Sequence, residues 1–213
     1  MADESIGSEK SETPWPSKGD CLFQSADDWW YNACLNYSHD DFLLYVTGYK
    51  VAGEVLAQHA ADNTRMHLDA LVYPIVFVNR QYLELCLKML IRNCRIFFGI
   101  RDEFPKTHDL LALWAECKKL LTKFESRPEE DVLEAVEDGI RQFCQVDPRS
   151  EGFRYPVNKS GCKSLPPDVT HINIRNLAEI MEKISNFFDS ACVMVDYHLD
   201  LQQDAQDSSA FWC

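Results

Sequence analysis

The chain has 213 residues, 46% of them hydrophobic and 26% charged, with 12 Phe, 8 Tyr and 5 Trp, enough apolar surface to offset the entropy of ordering one core. A net charge of −13 and a pI near 4.8 exclude a general counterion-release drive toward nucleic acid and leave open only a local basic patch. No 18-residue window is uninterruptedly apolar and the first twenty residues are polar, so a membrane span and an export signal are not expected, and a soluble cytoplasmic protein is.

Residues 1–20 (MADESIGSEKSETPWPSKGD) offer little to bury and are expected to form a flexible tail before a single helical domain at 21–201, with a second tail at 202–213. Asp27 and Asp28 precede Trp29 and Trp30 in a pattern that starts a short helix covering part of the core. Over residues 39–61, Phe42, Leu43, Val46, Tyr49, Val51, Ala52, Val55 and Leu56 recur at three and four, the spacing of one helical face, with Ser38 or Asp40 as the cap. Over 68–98 the stripe Leu71, Ile75, Val78, Tyr82, Leu85 and Met89 predicts a longer helix, with Pro74 at a kink or in the first turn.

Gly and Pro in GIRDEFPKT (99–107) break that pattern, and HDLLALWAECKKLLTKF restores an amphipathic helix whose N-cap is Thr107 or Asp109. Residues 128–146 begin Pro-Glu-Glu-Asp and continue with Val132, Leu133, Val136, Ile140 and Phe143 on one face. Residues 147–167 are too rich in Pro, Gly and Ser for regular structure, although GFRYP could run extended. A last helix over 173–201 carries Leu177, Ile180, Met181, Ile184, Phe187, Phe188, Ala191 and Val195. The fold class is therefore all-α: an antiparallel bundle of four to five helices with short connections and one long loop before the last helix.

Nine cysteines, at positions 21, 34, 86, 94, 117, 144, 162, 192 and 213, are odd in number, form no CxxC pair and lie mostly within apolar helical patterns. Reduced thiols packing as small apolar side chains fit this pattern better than a disulfide framework. The six histidines are equally dispersed, so no metal and no cofactor are expected.

Three stretches together resemble the HEPN family (higher eukaryotes and prokaryotes nucleotide-binding): YPIVFVNRQYLELCLKMLI, PKTHDLLALW and SEGFRYP, spread over roughly residues 68–200. The resemblance implies a small helical bundle, frequently a homodimer, of a kind common in bacteria and archaea. Some members are metal-independent ribonucleases of toxin–antitoxin and antiphage systems, and others are inactive accessory domains that bind a nucleotide or a protein partner such as an antitoxin. In the active members an Arg, often followed by Asn, Asp or His, precedes a His by four to six residues. Arg101-Asp102 and His108 have that spacing, with six residues between the Arg and the His.

An imidazole there would move a proton at a ribose hydroxyl or leaving oxygen while a guanidinium neutralises charge on phosphate. Phe104 and Pro105 interrupt any continuous helix joining the pair, and in the late helix, where the family's catalytic pair normally lies, Arg175 has no His within seven residues. The alternative role for His108 is to fix the turn from loop to helix.

Arg80, Glu84 and Lys88 follow one another at four-residue steps on one helical face, which suits either a polar ligand pocket or an intrahelical ion-pair ladder. Arg154 and Tyr155 would then pin the long loop, the ring inserted into the bundle and the guanidinium on a carboxylate such as Glu84. Local basic patches are expected at Arg154, Lys159 and Lys163, and at Lys88, Arg92, Arg95, Arg101 and Lys106 among Phe97, Phe98 and Phe104. The favoured function is an accessory or interaction module, HEPN-like and dimeric, without catalysis of its own; the alternative is a ribonuclease.

Overall fold

A computed structural model describes residues 15–35, 41–62, 67–101 and 105–210, and the chain divides into two units, residues 1–39 and 40–213. In the first unit the Ser17 amide donates to Asp20 Oδ2 at 2.7 Å, and Asn32 pairs twice with the Ala26 backbone. Trp29–Tyr31 form one 3-10 turn in which Trp29 and Trp30 meet edge to face at 6.0 Å. The short helix expected there is this single turn, and its three rings are exposed rather than laid over a core. The greater part of the flexible tail expected at 1–20, residues 1–14, lies outside the described residues.

The second unit is built from α1 (Asp41–Asp62), α2 (Leu68–Phe97), α3 (Leu110–Leu121), α4 (Glu130–Val146) and α5 (Ile174–Ala210). No strand occurs among the described residues, and no helix among them is long and apolar enough to cross a membrane. The unit is thus an all-α helical bundle. The caps expected at Ser38 or Asp40 lie outside the described residues.

Local chemistry sets the helix ends. Asp109 Oδ1 accepts from the Leu111 and Ala112 amides and caps α3, while Asn173 Oδ1 accepts from the Asn176 amide at the start of α5. Gly99, at φ 66°, ends α2 in the left-handed backbone that lets the Ile100 amide return to the Arg95 carbonyl at 2.8 Å. Pro74 lies inside α2, beyond its first turn, so the helix loses one amide donor there and continues. α5 runs on through the polar segment after Leu201, where the Gln202 amide donates to the Phe97 carbonyl at 3.3 Å.

Paired contacts give the helix directions. Phe42 lies under Arg92 and Gly53 abuts Asn79, so α1 runs antiparallel to α2. Arg80 reaches the His108 carbonyl, Arg95 reaches Glu116 and Phe97 stacks on Phe124, so α3 runs parallel to α2. Tyr82 meets Phe188 and Asn93 meets Asp196, so α5 is parallel to α2 as well. α4 is antiparallel to α3, with Lys118 beside Glu130 and Trp114 beside Glu137. The 98–109 connection, between the parallel helices α2 and α3, therefore returns along the bundle, whereas 147–173 joins the antiparallel α4 and α5 at the end where α2 begins. The core joins Leu83, Leu87 and Leu90 of α2 to Leu113 and Trp114 of α3, Leu133 and Ile140 of α4, and Phe188 and Val195 of α5.

Candidate functional site

The polar cluster on α2 forms where the end of the 98–109 connection and the start of the 147–173 connection meet the helix. Arg80 is 1% exposed, and its guanidinium donates to the carbonyls of His108 (3.0 Å), Asp147 (3.3 Å) and Pro148 (3.5 Å). One side chain thus ties the N-terminus of α3 to the C-terminus of α4, where the helix dipole favours a cation. Its remaining contact, to Glu84 Oε2, is 3.5 Å, governed by charge more than by hydrogen bonding.

Glu84 is 3% exposed and meets Arg80, Lys88 and His108. Lys88 Nζ donates to its Oε1 at 2.9 Å and His108 Nδ1 meets the same oxygen at 2.8 Å. Burial by itself raises the Glu84 pKa, but the hydrogen bonds and charges of Lys88 and His108 outweigh it, and the carboxyl sits below its ordinary range. The His108 side chain is 79% exposed, so the imidazole is anchored through Nδ1 at the mouth of a buried ion cluster and presents its other edge to solvent. The bond that ties the loop-to-helix turn to Arg80 is made by the His108 carbonyl, while the ring stays accessible.

Of the other residues expected here, Arg101 is exposed in a bend after α2, no described contact joins it to His108, and Asp102 and Phe104 lie outside the described residues. Arg80, Glu84 and Lys88 come together as the spacing predicts. Arg154 and Tyr155 do not join them. Tyr155 is exposed, and Arg154 lies over the Phe77 and Tyr155 rings at 5.6 and 5.4 Å, its Nε donating to the Ser150 carbonyl. The ring inserted in the bundle is Phe153, buried beside Tyr73 at 6.4 Å, because Asp147 Oδ1 accepts from the Glu151 and Gly152 amides and turns GFRYP back on itself, so it does not run extended.

The basic stretch at the end of α2 is similarly occupied. Arg92 covers Phe42, Arg95 pairs with Glu116 at 3.4 Å, and Phe97 and Phe98 pack with Phe124, Phe97 at 5.5 Å from His198. The described cysteines are free thiols: Cys86, Cys94 and Cys117 are buried in the core, and burial holds the Cys117 thiol well above its ordinary range. Cys21, Cys34 and Cys162 are exposed instead. Among the described residues no group of three or more His, Cys, Asp or Glu is placed to hold a metal ion.

Two helices leave apolar faces uncovered. On α5, Val193, Tyr197 and Leu201 are 70%, 60% and 48% exposed at four-residue steps, so they line one face. On α1, Leu44, Val51 and Val55 form a second exposed stripe. Sequence periodicity assigns apolar positions to helices but does not separate the face that meets the core from one left outside, and these stripes were missed for that reason. Compared with known proteins, the chain matches no family model, no curated protein and no solved structure.

Proposed function

We propose that this chain is a HEPN-like helical interaction module that pairs with a second copy or a partner chain and performs no chemistry of its own. The observation that carries the reading is the exposed stripe Val193, Tyr197 and Leu201 on α5, a contiguous apolar face of the kind that marks association surfaces. The polar cluster supports it from the other side, since Arg80 and Glu84 are spent on holding connections and each other. The test is sedimentation of wild type and of the double variant Val193→Glu/Tyr197→Glu. Self-association in wild type that the double variant abolishes supports the module; identical monomeric behaviour of both at high concentration removes this face as the interface.

One observation favours a second reading, a metal-independent ribonuclease: the exposed His108 ring is oriented by a buried carboxylate, as a proton-transferring imidazole needs to be. Labelled RNA incubated with chelator separates the two. The interaction module predicts no cleavage by wild type, whereas cleavage that disappears in His108→Ala would make the ribonuclease the better reading.

A further inference from the structure

Between α1 and the first halves of α2 and α5 runs a groove of about 550 Å³ that shares no lining residue with the Glu84 cluster. Its volume falls within the roughly 300–1,000 Å³ of small-molecule sites. Its floor is polar where a helix contact is ordinarily apolar: Asn79, Tyr82 and Ser185 are 8%, 1% and 5% exposed.

These buried groups are left with hydrogen-bonding capacity. Asn79 Nδ2 donates to the Ile75 carbonyl at 2.8 Å, and no described residue donates to its Oδ1. Ser185 Oγ donates to the Glu182 carbonyl at 2.9 Å and keeps its lone pairs. The Tyr82 hydroxyl meets no oxygen or nitrogen partner and has only the weakly bonding Cys86 thiol beside it. Gly53 allows the arrangement, because a Cβ there would stand 2.9 Å from Asn79 Oδ1. Of the three, the Tyr82 hydroxyl is unsatisfied, and a natural core rarely leaves such a group without a role.

The rim adds charge of one sign. Glu54 of α1 and Glu179 and Glu182 of α5 are exposed along the groove, while Lys50 at one end is engaged by Asp189 at 2.6 Å and Arg175 stands at the other. Acceptors and carboxylates thus outnumber the donors that a ligand would meet. An ammonium group, with three donors and no acceptor, is the complement of this surface.

We propose that the groove binds a small organic cation, an alkylammonium whose head is received by Asn79 Oδ1 and Ser185 Oγ and whose charge is balanced by Glu179 and Glu182. The apolar lining at Ala57, Ala178 and Met181 takes its methylene chain. The site is independent of the association face and of the question of catalysis.

The test uses 1,4-diaminobutane as probe and 1,4-butanediol as its uncharged counterpart, followed by amide shifts of the full chain. The diamine is expected to saturate at one equivalent with shifts centred on Gly53, Asn79 and Ser185, and the diol to produce none. Ala178→Phe, which fills the groove, and Glu179→Gln/Glu182→Gln, which removes its charge at constant shape, each weaken binding by about tenfold or more, or about 1.4 kcal/mol. Glu134→Gln on α4, outside the groove, changes nothing. Shifts that spread over the acidic surface without saturating, or full affinity in the double glutamine variant, would overturn the proposal; the double variant decides alone if Ala178→Phe fails to fold.

Discussion

Arg80 concentrates more of the architecture than any other side chain described, because it satisfies carbonyls from two connections while pairing with a carboxylate as buried as itself. Arg80→Met keeps the bulk but leaves those buried carbonyls without their donor and takes one of three partners from the buried Glu84. It is expected to lower unfolding stability by about 3–5 kcal/mol in urea titration. Glu84 carries a pH signature: its folded pKa is lowered, so its contribution is complete above the ordinary carboxylate value and is lost as pH falls through the folded one. Stability should therefore drop on acidification below that ordinary value, and Glu84→Gln should flatten that part of the curve; an unchanged slope would show that the cluster does not control it. Tyr82 makes the opposite case, since Tyr82→Phe removes a buried hydroxyl without an oxygen or nitrogen partner and is expected to raise stability by about 1 kcal/mol in the same titration. Four-residue spacing made the Arg80–Glu84–Lys88 ladder legible in the sequence. Nothing in it placed His108 on Glu84, because a contact across 24 positions depends on how the connection returns.

At the scale of elements, periodicity located the five helices, and capping chemistry narrowed the start of α3 to Thr107 or Asp109, of which Asp109 is the cap. Asp109→Ala removes the side chain that receives two amides of α3 and should cost about 1 kcal/mol, read as a lowered unfolding midpoint. The end of α5 was less legible. Its last turns carry Gln, Asp, Ala and Ser with no apolar stripe, and a polar helix on one exposed face differs little in composition from an irregular tail. The SEGFRYP stretch was legible as a loop but not in its details: either aromatic of Phe153 and Tyr155 could have been the one inserted, and the amides received by Asp147 decide in favour of Phe153. Helix direction was hidden for a related reason. Loops of similar composition can turn at one end or run back, and the anchor at Arg80 shows that 98–109 runs back from the end of α2 while 147–173 stays at the end where α4 finishes.

At the scale of the whole second unit, three parallel helices and two antiparallel ones enclose the core, while the apolar stripes of α1 and α5 are left uncovered. The acidic balance of the chain makes that pattern more informative, because like charge on two copies opposes their approach and only a specific apolar contact overcomes it. The interaction-module account stands or falls on whether these faces are used. The most direct measurement is the molar mass by light scattering across a concentration series at moderate salt. The account predicts a rise toward about twice the chain mass of 24.6 kDa, absent in Val193→Glu/Tyr197→Glu. A mass of one chain at every concentration, with RNA cleavage that depends on His108, would contradict it.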